Sequence, residues 1–219
     1  MRSTGTWSRI AALLEAAMAG VREADPKAKF IVHIAHWFNV EFASGFFRYL
    51  DLQNIDFDFV GISYYPTSGI SEQHFGESND KNQIHRFVNA LNTATRKRVI
   101  FAEYAYPSCS EFHGPFAQWN KPAPEHPLSR EGQAAWLTSF LEWCYVHPGV
   151  AGAFYWSPEY YSHEEWSAFS LFDRHGRAKP ALNAFSSFGH GRPLRLRRKL
   201  AHAVDAVRSA SAGIVGDSL

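Results

Sequence analysis

The sequence predicts an α/β domain built on a parallel sheet, because apolar strand segments alternate with helical segments along most of the chain. Four segments rich in β-branched and aromatic residues are predicted as strands, at residues 29–36, 57–66, 98–107 and 150–156. Their nearly continuous apolar character is typical of strands that are covered on both faces. Strands that alternate with helices pair in parallel through right-handed crossovers. We therefore expect the four strands to be parallel neighbours in chain order.

Helical segments precede, separate and follow these strands. They are predicted near residues 7–24, 40–50, 80–94, 130–146 and 180–188, with Ser129 suited to cap the fourth. The first segment superficially resembles a signal peptide, but Glu15 interrupts its apolar run and we interpret it as an amphipathic helix. No apolar run approaches the roughly 18 residues of a membrane span, so no membrane association is expected.

The composition argues against several classes of partner. The chain has 219 residues, enough for one sizeable core, and a formal net charge of +1, so we expect no general attraction to nucleic acid. His33 and His36 lie three apart in a strand and point to opposite faces, which makes them a poor metal pair. We expect neither a metal nor a cofactor. The 7 Trp, 9 Tyr and 18 Phe suit sugar-binding platforms and large cores equally well.

Polar or aromatic residues stand at the end of every predicted strand. An open doubly wound sheet and a closed barrel both fit the alternation, and no dinucleotide, Walker A or nucleophile-elbow motif is present. In a barrel, the carboxyl ends of the strands meet at the face where active sites are built. The candidates at these ends are His36, Trp37, Tyr64, Tyr65, Glu103 and Trp156.

Glu103 is the candidate catalytic residue, because a carboxylate at a strand end is held rigidly while its oxygens reach a cleft. A glycosidase nucleophile needs this setting. We expect Glu103 to lie beside Tyr64 or Tyr65, one hydroxyl donating to it and the other lining the cleft. Trp156 is suited to stack under a sugar ring.

Three further residues are assigned to substrate binding. His36 is expected to form a hydrogen bond in the cleft, with Trp37 next to it at the end of the first strand. Glu159 lies in the second of two long aromatic loops, residues 108–127 and 157–177, and loops of this length are usually functional.

The ordered segments HIAH, DFVGISYYP, VIFAEYAYP, GAFYWSPEY and SAFSLFDRHGRAKPAL resemble glycoside hydrolase family 53, over roughly residues 5–188. Members of that family are retaining endo-β-1,4-galactanases with a (β/α)₈ TIM barrel, acting on arabinogalactan. The resemblance implies an incomplete barrel over residues 1–190, with about four βα units corresponding to strands five to eight. It places Tyr64 and Tyr65 on strand six, Glu103 on strand seven as nucleophile, and Trp156 on strand eight. The implied partner is a galactan polysaccharide or oligosaccharide.

The chain departs from the family at the general acid/base. In the family this residue is a Glu in an Asn-Glu pair that closes strand four, and the chain contains no such pair. Its first helix resembles the helix after strand four, so we expect strands one to four to be absent from it. Glu159 is the candidate that could replace the acid. Two alternatives therefore stay open: a non-catalytic carbohydrate-binding remnant, and a truncated inactive fragment. Residues 191–219 are expected to form a basic, flexible tail.

Overall fold

A computed structural model describes residues 4–35, 37–68 and 81–186 of the chain. The expected basic tail, residues 191–219, lies outside the described residues, as does His36. The described elements are α1 (Thr4–Ala24), β1 (Ile31–Ile34), α2 (Val40–Leu52), β2 (Phe59–Tyr64), α3 (Lys81–Thr95), β3 (Val99–Tyr104), α4 (Arg130–Val146), β4 (Val150–Tyr155) and α5 (Asn183–Ser186).

The four strands form one sheet in the order β1-β2-β3-β4, and every neighbouring pair is parallel. This confirms the predicted order and direction of the strands. The last predicted helix is shorter than expected, because a 3₁₀ turn over Pro180–Leu182 precedes α5. Pro180 occupies the first position of that turn, where its missing N–H is no loss.

Two helices begin at residues whose side chains cap the first turn. Asn39 Oδ1 accepts a hydrogen bond from the Phe42 N–H at 2.9 Å, and this bond begins α2. Ser129 Oγ accepts from the Gly132 N–H at 3.0 Å at the start of α4, as predicted. Each cap satisfies a backbone donor that has no partner within its helix.

One face of the sheet packs against the helices and forms the main core. Side chains from all four strands and from α1 to α4 meet there. The largest fully buried members of that core are Phe47, Leu50, Phe57, Ile62, Phe87, Leu91, Phe101, Tyr104, Tyr106, Leu137 and Leu171. Hydrophobic burial on this face is the main source of stability.

The opposite face of the sheet is only partly covered, which differs from the prediction that both faces are buried. Ile31 on β1 is 42% exposed and Phe154 on β4 is 60% exposed. The strand residues are apolar because this face corresponds to the interior of a barrel, where facing strands bury it. We call it the inner face.

Gly61 shapes the inner face between β1 and β2. A Cβ atom at this position would lie 2.7 Å from Ile31 Cγ2 and 3.0 Å from His33 Cβ, closer than such contacts allow. The absence of a side chain lets Ile31 and His33 project across the β2 backbone. Gly61 therefore provides the space in which the His33 ring lies.

Replacing Phe101 with alanine should destabilise the protein strongly. Phe101 is fully buried, and its ring contacts Tyr64, Phe140 and Trp143. We expect a loss of about 3–5 kcal/mol in the free energy of unfolding, measured by urea titration. Leu52→Ala is the matched control, because Leu52 is 78% exposed and should change stability by less than about 0.5 kcal/mol. Equal losses in the two variants would contradict the described core.

Candidate active site

An extra residue in β3 turns Glu103 toward the inner face. Ile62 pairs with Phe101 and the next residue, Ser63, pairs with Glu103, so Ala102 has no partner of its own on β2. Without this bulge, strand alternation would place Glu103 on the same side as Phe101, in the aromatic core. The bulge instead leaves Phe101 and Tyr104 on the helix side and puts Glu103 beside Ser63. Bulges next to active sites commonly re-aim a side chain in this way.

Tyr65 holds the Glu103 carboxylate. Its hydroxyl donates a hydrogen bond to Glu103 Oε2 at 2.8 Å. Burial raises the pKa of Tyr65 well above its usual value, and the neighbouring Glu103 carboxylate raises it further. The phenol therefore stays protonated and remains a donor at any physiological pH. The expected contact between Glu103 and one of the two tyrosines is present, and it involves Tyr65.

Tyr65 is in turn fixed by aromatic rings from both long loops. Its ring centroid lies 4.8 Å from that of Trp119 in the loop after β3, and 6.0 Å from that of Trp166 in the loop after β4. Trp166 stacks on Phe169 at 4.5 Å. These rings form a second hydrophobic cluster at the carboxyl end of the sheet. Packing on both sides restricts the rotation of Tyr65 and so fixes the direction of its hydroxyl.

A buried polar group ties the two loops to the helix layer. Gln133 on α4 is fully buried, and its Nε2 donates to the carbonyl oxygen of Tyr106 at 2.7 Å and to that of Phe169 at 3.3 Å. The Tyr155 hydroxyl donates to the same Phe169 carbonyl. Backbone groups that no helix or strand satisfies are thus paired with side chains. Both loops therefore have fixed positions next to the sheet.

Trp156 lies next to the end of β3. The backbone N–H of Trp156 donates to the Tyr104 carbonyl oxygen at 3.0 Å, which extends the pairing of β3 and β4 by one residue. Trp156 directly follows Tyr155, the last residue of β4, whose ring packs against Tyr104 in the main core. The Trp156 side chain is 44% exposed. Its accessible indole at the end of the strand stays a candidate for sugar stacking.

Two of the predicted substrate-binding residues belong to the core. Tyr64 packs against Phe140 of α4 at 5.6 Å between ring centroids, and Trp37 packs edge-on against Tyr64 at 4.9 Å. Both are almost fully buried. Their expected role in the cleft stays a prediction, and of the two consecutive tyrosines it is Tyr65 that contacts Glu103. His36 lies outside the described residues.

Glu159 is exposed and is not joined to Glu103. Its side chain forms no hydrogen bond or ion pair among the described residues, whereas its backbone carbonyl accepts from the Tyr161 N–H at 2.8 Å. Among the described residues, the side chain that forms a hydrogen bond with the Glu103 carboxylate is that of Tyr65. The structure thus brings together Glu103 and Tyr65, places Trp156 at the end of the neighbouring strand and leaves Glu159 at the surface.

Two residues near the site were not predicted from the sequence. His33 Nε2 and Ser63 Oγ lie 2.8 Å apart on the inner face, and Ser63 is the register partner of Glu103. His33, Ser63 and Glu103 therefore form a polar row across three strands. The position of His33 within an apolar strand was a possible signal of a functional role.

The described residues contain neither a cluster of metal-ligating side chains nor a membrane-spanning helix. Across residues 4–35, 37–68 and 81–186, no group of three or more His, Cys, Asp and Glu side chains is placed to hold a metal ion. No helix in these ranges is both long and apolar enough to cross a membrane.

Several known proteins resemble this chain in sequence. The family model described as glycosyl hydrolase family 53 matches residues 2–185. An arabinogalactan endo-beta-1,4-galactanase of Humicola insolens is 26% identical, covering 83% of this chain and 55% of that protein. An enzyme of the same name from Cellvibrio japonicus is 28% identical, covering 83% of this chain and 50% of that protein.

Solved structures agree on the fold. The GH53 catalytic domain of Ignisphaera aggregans matches with a TM-score of 0.70 and 24% identity, over 84% of this chain and 53% of that domain. A structure from a study of two fungal beta-1,4-galactanases matches with a TM-score of 0.64 and 23% identity, over 84% of this chain and 55% of that one. The four-stranded parallel sheet is therefore an incomplete TIM barrel. The chain spans about half the length of the relatives that it matches.

Replacing Tyr65 with phenylalanine should destabilise the folded protein by about 1.5–3 kcal/mol, the usual cost of losing a hydrogen bond to a charged group. The variant keeps the ring contacts with Trp119 and Trp166 and removes the donor to Glu103. Urea unfolding followed by circular dichroism measures the loss. Tyr160→Phe is the control, because the Tyr160 hydroxyl has no partner among the described residues. A Tyr65→Phe variant as stable as that control would show that the hydrogen bond does not hold the carboxylate.

Proposed function

Because the chain belongs to glycosyl hydrolase family 53, we propose that it provides the nucleophile half of a site that hydrolyses β-1,4-galactan with retention of configuration. Glu103 is the nucleophile and Tyr65 positions it. The 2.8 Å hydrogen bond from Tyr65 to Glu103 Oε2, in a pocket wall made by both long loops, is the observation that supports this role.

The proposed reaction has two steps. Glu103 attacks the anomeric carbon, a carbon–oxygen bond forms to the carboxylate, and the glycosidic oxygen leaves as it takes a proton from a general acid. A water molecule then attacks the glycosyl-enzyme ester and restores the Glu103 carboxylate. Tyr65 donates to one carboxylate oxygen, so the other oxygen is free to attack. The inner-face position produced by the β3 bulge gives the sugar access to that oxygen.

The general acid is proposed to lie outside the part of the barrel that this chain covers. A retaining enzyme needs its two carboxyl groups about 5–5.5 Å apart. Glu159 lies on the surface of the loop after β4 and forms no contact with Glu103. The relatives have about twice the length that the chain matches, so they have room for the acid on strands that lie opposite β3.

The substrate class follows from the names of the relatives and from one exposed ring. Two of the matched proteins are named for endo-β-1,4-galactan cleavage. A galactose ring has an apolar face of C–H groups that stacks on indole, and Trp156 offers an accessible indole directly after β4. We propose that Trp156 binds the sugar whose anomeric carbon reacts with Glu103.

A carbohydrate-binding role without catalysis is the second candidate. It is favoured by the exposure of Trp156 and Tyr160, which are aromatic and stand in the same loop region after β4. Such a role requires neither the acid nor Glu103. Binding of galacto-oligosaccharides that is unchanged by Glu103→Gln and lost in Trp156→Ala would favour this function over hydrolysis.

Covalent labelling tests Glu103 without requiring the acid. With 2-deoxy-2-fluoro-β-galactosyl fluoride, the carbon–fluorine bond at the anomeric centre breaks, fluoride leaves without protonation, and the sugar is trapped as an ester on the nucleophile. Intact-mass and peptide analysis should place the label on Glu103. Glu159→Gln should label as the unchanged chain does, whereas Glu103→Gln should not label. Label on any other carboxylate, or none on a folded chain, would contradict the assignment.

Turnover of galactan by the chain alone should be very slow. General acid catalysis typically contributes about 10²–10⁴-fold, and the opposite wall of the cleft would add positioning. An aryl β-galactoside with a good leaving group should react measurably faster than galactan, because its departure needs little protonation. The assay is reducing-sugar release from galactan against phenolate release. Rapid galactan hydrolysis that Glu103→Gln abolishes would show that this chain contains its own acid.

A further inference from the structure

Residues 166–170, within the aromatic loop after β4, have a backbone that side chains hold in place. We call this segment the strap. It contains no helix or strand, yet four successive carbonyl oxygens, those of residues 167–170, accept hydrogen bonds from side chains. Irregular backbone that is buried needs such partners. The strap therefore depends on its donors rather than on secondary structure.

Lys179 provides donors to most of these oxygens. Its Nζ lies 2.9 Å from the Ser167 carbonyl oxygen, 2.7 Å from that of Ser170 and 3.5 Å from that of Ala168. It also lies 2.9 Å from Ser108 Oγ in the loop after β3. The side chain is buried, with 5% of the residue exposed, and none of these four partners is a carboxylate. A lysine that is buried without an ion pair is rare and is usually there for a reason.

The strap is connected to the nucleophile through two rings. Trp166, its first residue, packs edge-on against Tyr65, and Phe169 stacks on Trp166. Tyr65 donates to Glu103. A displacement of the strap would therefore remove one wall of the pocket that fixes the Tyr65 hydroxyl.

We propose that Lys179 is a positioning residue whose buried amino group fastens the strap to the loop after β3 and so keeps Tyr65 aimed at Glu103. This inference rests on the proposed function, because Tyr65, which Lys179 keeps in position, is the hydrogen-bond partner of the proposed nucleophile. Whether the strap is held in place is a property of the fold, and amide hydrogen exchange measures it without any reaction.

The protonation of Lys179 follows from its surroundings. Burial lowers the pKa of Lys179 to about 8, while Cys109 and Asp173 raise it slightly and Arg130 lowers it. The group therefore carries its proton at neutral pH and has three N–H donors for four oxygens. The neutral amine formed at higher pH keeps two donors and no longer carries a buried charge.

Hydrogen exchange of the Lys179→Met variant tests the fastening directly. Methionine keeps the apolar stem and removes every donor, which leaves the Ser167 carbonyl without its side-chain partner. The amides of Ser108 and Leu171, which donate to carbonyls at 2.8 Å, should exchange about tenfold faster or more, while α4 exchanges as before. Lys29→Met is the control, because Lys29 is exposed and pairs with Asp58 at the other end of the sheet. Unchanged exchange at these amides, or faster exchange throughout the chain, would overturn the proposal.

Labelling of Glu103 tests the link to the nucleophile. In Lys179→Met the rate of covalent labelling at saturating fluoro-sugar should fall, with little change in the concentration needed for half-saturation. A merely structural lysine would leave that rate unchanged in the folded variant. If the unchanged chain does not label at all, the proposed nucleophile is wrong, and the exchange result still decides whether Lys179 fastens the strap.

A pH series on the unchanged chain covers the case in which the variant does not fold. An exposed lysine has a pKa near 10.4, whereas Lys179 has a pKa of about 8 in the closed strap, so the closed strap binds the proton less tightly than an open one. Raising the pH from about 8 to about 10 should therefore favour the closed strap. Protection factors at Ser108 and Leu171, corrected for base catalysis, should rise over this range while those of α4 stay constant. Constant protection at these two amides would refute the role of Lys179, because the opening of the strap would then not change the surroundings of its amino group.

Discussion

The site depends on one extra residue in a six-residue strand. Phe101 faces the helices, and regular alternation would send Glu103 after it into a core of aromatic rings, where a carboxylate without partners is very costly to bury. The bulge at Ala102 moves the carboxylate to the inner face and simultaneously lets Tyr104 fill the core. Core packing and the access of solvent to Glu103, which compete for the same strand positions, are reconciled by this change of register.

The loops around the nucleophile are ordered by side chains that replace the missing backbone pairing. Gln133 from α4, Tyr155 from β4 and Lys179 before the last helical turn each donate to carbonyl oxygens of loop residues. Each donor belongs to a helix or strand or lies directly beside one, so these hydrogen bonds fix the loops relative to the sheet and helices. Long loops can then hold aromatic rings as precisely as regular structure does, which is what a pre-organised site requires.

Much of the fold was predictable because its signals are local. The apolar segments identified four strands, the cap at Ser129 located α4, and the alternation implied parallel order. Which of Tyr64 and Tyr65 contacts Glu103 was not predictable from the sequence. The answer depends on the bulge in β3, which sets the face of the sheet on which the Glu103 carboxylate lies. The side to which Trp37 turns was unpredictable for a related reason: a residue that follows a strand can turn to either side, and packing against Tyr64 sets that turn.

The inner face also governs how separate molecules meet. Ile31 and Phe154 stand on the two outer strands, and the outer edges of β1 and β4 carry no strand partner within the described ranges. An unpaired edge beside an apolar surface is a template for strands of neighbouring molecules. We therefore expect copies at high concentration to pair edge to edge. A polypeptide that pairs with those edges would raise the solubility of the chain as well as extend its sheet.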